Sequence, residues 1–224
     1  MKKIIQTFLP IFILSSQVFA IAGFGINLNQ SQFSVDAKTT SLGEFGSYGY
    51  DEFSGGIGGG GYLYIDAVPF VDLDLEFSAI RTNYDYLLTV GNIAKSYSVP
   101  YGSLVGYVTL QKKVFKLSIP LLAKAKLTVG AGLNSHTYKS IPDQSDLESL
   151  GVTSSTSDLP KLDKLVDYVK EHTDSKIGFH LQGGLQFKLL MLDSFLFYRH
   201  VIADEVIPGA KGFGSLNMRL GMGF

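Results

Sequence analysis

Cysteine and tryptophan are both absent from the 224 residues, and only 17% of the chain is charged. Without cysteine there can be no disulfides, thiolate nucleophiles, zinc ribbons or iron–sulfur clusters. Nineteen Lys and Arg face 20 Asp and Glu with no basic block, so nucleic acid is not an expected partner. Low charge combined with 46% hydrophobic content excludes a disordered tail, which is polar and highly charged. What the chain does have is 25 glycines, 12 tyrosines and 16 phenylalanines, a mixture that points to many short strands and tight bends.

The first twenty residues read as a secretory signal peptide. Lys2 and Lys3 give a basic start, Ile4 to Leu14 an apolar stretch broken by Pro10, and Val18-Phe19-Ala20 a small-x-small cleavage site. The stretch is too short for a membrane anchor, which needs roughly 18 apolar residues. No cysteine follows the cleavage site, so lipidation is excluded. The expected organisation is a signal peptide over 1–20 and one exported domain over 21–224.

No later segment has the apolar run of a membrane helix. Instead, apolar and polar residues alternate for about ten positions at a time, which places one set on each face of a strand. The clearest segment is Val71 to Ala79, with Asp72, Asp74 and Glu76 on the even positions. Others are Leu121 to Leu133, with Lys124 and Lys126 on the polar face; Ile177 to Lys188; and Leu216 to Phe224, with Arg219 on the polar face. Weaker alternation covers Phe24 to Asn29, Ile57 to Ile65, Ser103 to Gln111 and Phe195 to Ile202, bringing the expected strands to eight.

Connections alternate in length. Short links are expected at Asp66 to Phe70, Lys112 to Pro120 and Leu190 to Ser194. Long loops are expected at Val35 to Ser54, Asn83 to Pro100 and Ser135 to Ser175, with a moderate one at Ala203 to Lys211. The third long loop is expected to carry a helix from Leu159 to Glu171, capped by Ser157 or Asp158, with Pro160 in its first turn. Leu162, Leu165, Val166 and Val169 form its apolar stripe, expected to fold down over a rim. A ten-stranded variant would hide an extra hairpin in the same loop.

A soluble sandwich also alternates. The charges on the polar faces separate the two cases. In a sandwich they are solvated. In a closed membrane barrel Asp72, Asp74 and Glu76 point inward with Lys124, Lys126, Lys188 and Arg219, and must neutralise one another because a lone charge in a low-dielectric interior is costly. A sheet crossing a bilayer must close on itself, since an open edge cannot be satisfied in hydrocarbon. The reading is therefore an all-β, eight-stranded antiparallel transmembrane β-barrel with a short helix in the third extracellular loop. Short periplasmic turns and long outer loops put both termini in the periplasm.

The end of the chain carries a family resemblance. Leu216-Asn217-Met218-Arg219-Leu220-Gly221-Met222-Gly223-Phe224, with alternating apolar residues and a final aromatic, resembles the sorting signal of bacterial outer-membrane β-barrels. With the signal peptide and eight amphipathic strands, the chain is similar to the small barrels of the OmpA transmembrane-domain, OmpX and OmpW superfamily. The resemblance implies a structural or surface-interaction role. It also implies contact with outer-membrane lipid and lipopolysaccharide, and recognition by the barrel assembly machinery through Leu220, Met222 and Phe224. A monomer without cofactor or metal is expected. A narrow OmpW-like channel for small apolar molecules is one alternative, and a barrel enzyme acting on lipid or peptide is another.

Other candidate sites have ordinary explanations. Gly56 to Gly61 matches a dinucleotide-loop pattern but continues into a strand and not a helix, so the glycines are expected to relieve crowding or permit bending. Three of the four histidines, His136, His180 and His200, are placed to converge at the outer rim, but no Ser or carboxylate spacing beside them signals a nucleophile. Phe24, Tyr62, Tyr64, Phe70, Tyr101, Phe187 and Phe195 are candidates for interfacial aromatic girdles.

Overall fold

A computed structural model describes residues 22–66, 71–119, 123–152 and 159–223. The expected signal peptide, the proposed helix caps Ser157 and Asp158, Phe70 and the terminal Phe224 lie outside them.

Ten strands follow in chain order: β1 (Ala22–Val35), β2 (Lys38–Ser41), β3 (Gly46–Tyr50), β4 (Phe53–Ile65), β5 (Asp72–Val90), β6 (Ile93–Ile119), β7 (Ala123–Lys139), β8 (Thr173–Leu189), β9 (Leu192–Ile207) and β10 (Ala210–Gly223). Eight of them close a ring in the order β1, β4, β5, β6, β7, β8, β9, β10, with β10 pairing back to β1. Every neighbouring pair is antiparallel. Closure gives each of the eight ring strands a partner on both sides, which is what allows a sheet to meet hydrocarbon.

The two faces of the ring are inverted relative to a soluble protein. Phe24, Ile26, Phe77, Val108, Leu127, Leu181, Leu196 and Met218 are exposed on the outer wall. Asn27, Asp74, Glu76, Thr109, Lys126, Gln182, Arg199 and Arg219 are buried inside. With alternation of period two, each strand contributes to both sets.

The first and second expected loops are largely strand. β5 and β6 run for 19 and 27 residues, well beyond the roughly 9–11 that a tilted strand needs to cross a bilayer. They turn at Gly91, whose φ of 57° suits glycine. Asn83 to Pro100 is thus a projecting hairpin and not a loop. Pro100 fits because β6 is unpaired toward β7 above Ser103, so one flank needs no donor there. β3 pairs with the upper part of β5 and β2 pairs with β3, so the extra strands sit in the first connection and not in Ser135 to Ser175. The expected connection from Ala203 to Lys211 is likewise a short turn at Pro208 and Gly209.

The third loop carries two short helices, α1 (Gln144–Ser149) and α2 (Leu162–Glu171). Asp143 caps α1 with a reciprocal capping box to Asp146, a signal missed in the sequence. α2 begins at Leu162, later than expected; its N-cap is Lys161, which makes no side-chain cap bond. Leu165 and Val169 of its apolar stripe are buried in one hydrophobic cluster with Leu88, Val90 and Tyr97 of the projecting hairpin, and the helix meets β6.

Candidate functional site

The interior of the ring holds a four-residue ionic cluster. β5 contributes Asp74 and Glu76, β9 Arg199 and β10 Arg219. Arg199 donates from Nη1 to Glu76 Oε1 and from Nη2 to Glu76 Oε2, each at 2.9 Å. Arg219 bridges both acids, donating from Nη1 to Asp74 Oδ2 at 2.5 Å and from Nη2 to Glu76 Oε2. Two carboxylates thus face two guanidiniums, which removes the cost of an unpaired enclosed charge.

A polar shell completes the cluster. Asn27 Nδ2 donates to Glu76 Oε1 at 2.9 Å, Gln111 donates to Asp74, and Arg199 Nε donates to Gln182 Oε1 at 2.9 Å. Aromatic faces cover the guanidiniums. Arg199 lies 3.7 Å from the Tyr107 ring centre, and Arg219 lies 4.7 Å from both Tyr62 and Phe197. Planar guanidinium stacks on such rings where an ammonium would not, which accounts for Arg at these two positions.

Toward the turn end the charges are lysines. Lys126 pairs with Asp66 at 3.3 Å, and Lys113 pairs with Asp66 at 3.3 Å and Asp72 at 3.1 Å. Lys188 approaches Asp193 at 3.7 Å, and Asp193 also accepts from Tyr64 and Gln186. Lys124 departs from the expectation. It is exposed at the rim, directly across the ladder from Lys188, and makes no ion pair with a described residue. Its strand outruns the neighbouring acids, so nothing stands opposite to neutralise it.

Arg199, Asp193, Asp66 and Lys113 were not anticipated. Arg199 does carry a signal: it follows Phe195 and Phe197 at steps of two, all three on the inner face. Large aromatics there masked the polar set and made the two faces of the strand look alike.

The histidines do not converge. His136 and His180 are inside, at 3.2 Å from Ser103 Oγ and 2.8 Å from Thr109 Oγ1 respectively, both edge-on to Tyr107. His200 faces outward, and His172 stacks on Tyr168 in the loop. Among the described residues no group of three metal-ligating side chains forms. Tyr62, Tyr64, Tyr101 and Phe195 are also corrected: they are buried inside and not on an interfacial girdle, whereas Phe24 and Phe187 are exposed on the outer wall. Leu220 and Met222 face outward. The run from Gly56 to Gly61 is strand throughout. At Gly60 a Cβ would lie 1.9 Å from the Phe77 carbonyl oxygen, so crowding between β4 and β5 is what demands glycine there.

No protein-family model matches the chain, and no curated protein sequence does. Solved structures do. The chain is similar to the outer membrane protein OprG from Pseudomonas aeruginosa, at 10% identity and a TM-score of 0.52, covering 92% of this chain and 96% of that one. It also matches the N-terminal β-barrel domain of Pseudomonas aeruginosa OprF at 10% identity and a TM-score of 0.44, covering 92% and 99% of the two chains. The likeness to OprG shows the fold, that of a small bacterial outer-membrane β-barrel.

Proposed function

We propose that the chain is an integral protein of the bacterial outer membrane with a structural or surface-interaction role. In this reading both termini face the periplasm and the capped end faces outward. One observation carries it: an apolar wall surrounds a core of mutually neutralised charges. Exposed leucine and phenylalanine around a whole ring would drive aggregation in water, yet this is the surface that acyl chains require. Lipid and lipopolysaccharide are then the partners of the wall, and the sequence carrying Leu220, Met222 and Phe224 is the segment the assembly machinery takes up. The protein acts as a monomer without cofactor.

A filled interior argues against a wide pore. Beside Arg219, between Gln111, Thr128, Gln182 and Phe197, the void is about 10 Å3, room for no more than about one water. An eight-stranded ring is of the size that side chains fill. Fractionation followed by gel comparison of boiled and unboiled samples tests the reading. It predicts recovery with outer membranes, a mobility change on boiling and no large unit conductance in planar bilayers. Recovery as a soluble periplasmic protein, or a stable large conductance, would overturn it.

A further inference from the structure

The capped end contains a cavity of about 400 Å3 that the barrel reading leaves unused. It lies between the β2–β3 hairpin, the start of the third loop and the β9–β10 turn, and its volume falls in the range of small-molecule sites. Tyr48, Tyr50, Tyr101 and Tyr138 contribute to its walls.

Several polar groups around it are already committed. Tyr101 Oη donates to the Val206 carbonyl, and Asp143 caps α1. Asp174 accepts from Ser140 Oγ. Lys139 Nζ donates to the carbonyls of Val169 at 2.9 Å and Lys170 at 2.8 Å, at the negative end of α2.

Among the groups that make no bond with a described residue, two face each other. Tyr138 is only 7% exposed, yet its hydroxyl makes no hydrogen bond with a described residue. Burial raises its pKa first, and the carboxylates of Asp174 and Glu205 raise it further, so both acids bear on this ring. Glu205 makes no hydrogen bond or ion pair with a described residue and is held at a backbone φ of 59°, where few non-glycine residues sit. It lies where β9 slips register against β10, from Ile207 opposite Ala210 to Ile202 opposite Gly212. Backbone held in this region is costly and recurs at functional sites. Lys38 also lines the cavity and, like Glu205, is exposed, so water screens both charges, but the carboxylates of Asp143, Asp174 and Glu205 outnumber the ammoniums of Lys38 and Lys139 around it.

We propose that this cavity binds a small organic cation of the alkylammonium class, its charge beside Glu205 and its carbon body against the tyrosine rings. Aromatic faces and a carboxylate together attract such a cation and repel an anion of the same shape. The site is independent of where the barrel resides.

Three compact probes of different charge test it: tetramethylammonium, tert-butanol and pivalate, titrated by calorimetry onto the full chain in lipid nanodiscs. Saturable binding is expected for tetramethylammonium alone. Glu205→Gln should weaken it about tenfold or more, and Tyr138→Leu should do the same through loss of the ring. Glu205→Asn, which tolerates the left-handed backbone, serves as a second variant, and the boiled-sample gel checks that each variant is folded. Absence of saturable tetramethylammonium binding, equal or tighter binding of tert-butanol or pivalate, or affinity unchanged in both Glu205 variants would each overturn the proposal.

Discussion

Glu76 and Arg199, 123 positions apart in the chain, meet inside the ring through two parallel hydrogen bonds of 2.9 Å. Such a fork fixes both side chains in direction as well as distance. The pair also ties β5 to β9 across the barrel, while Arg219 ties β10 to β5, so the cluster joins β5 to two strands with which it shares no ladder.

Charge balance makes the cluster's response to substitution specific. Arg199→Met leaves Asp74 and Glu76 against one guanidinium, and should cost about 3–5 kcal/mol, the usual consequence of orphaning a buried ion. Adding Glu76→Gln restores balance, because Asp74 and Arg219 remain paired. The double variant should therefore be more stable than the sum of the single losses, with a coupling of about 1–3 kcal/mol. Urea unfolding in detergent micelles, followed by the gel shift, measures all four corners of the cycle.

The two-faced pattern was legible in the sequence, but its reversal of phase was not. In β5 the exposed apolar residue Phe77 and the partly exposed Leu73 and Leu75 sit on odd positions, whereas Tyr84, Tyr86, Leu88 and Val90 are buried on even ones. β6 switches in the opposite sense, from buried Tyr97, Val99 and Tyr101 to exposed Leu104, Val108 and Leu110. The cause is a change of solvent. Within the apolar wall oily residues face out, and beyond it they must face in. A reading that requires one constant apolar face sees the strand stop, which is why Asn83 to Pro100 looked like a loop. Arg199 escaped for a related reason, since its inward neighbours are aromatic. Asp66 follows the last residue of β4 and Asp193 is the second residue of β9, at strand ends where sequence alone does not say which face a carboxylate takes.

Two glycines on the strands either side of β5 should respond differently. A Cβ at Gly60 would lie 1.9 Å from the Phe77 carbonyl oxygen, whereas one at Gly106 meets no atom within 4 Å. Gly60→Ala is expected to destabilise by about 1–3 kcal/mol through forced separation of β4 and β5. Gly106→Ala should fall within about 0.5 kcal/mol of the parent. Parallel urea midpoints distinguish the two.

The cap should fail separately from the ring. Leu165 is fully buried where α2 meets the projecting hairpin. Leu165→Asp places a charge in that apolar cluster and should release the third loop to protease, while the mobility change on boiling persists. Loss of the mobility change along with the loop would show that cap and ring form one cooperative unit.

The absence of native cysteine permits the most direct test of the central claim, that the outer wall meets acyl chains while the charges are enclosed. Single cysteines are introduced as Leu127→Cys, Leu181→Cys and Met218→Cys, and at the adjacent inward positions as Thr128→Cys, Gln182→Cys and Asn217→Cys, and the folded protein in bilayers containing nitroxide-labelled lipid is treated with a thiol-reactive fluorophore. The predicted result is labelling of the first three with strong quenching by the lipid label, and protection of the second three, which have no room for a label, until the protein is boiled. Ready labelling of the second three in the folded protein, or ready quenching of the first three by aqueous iodide, would contradict it.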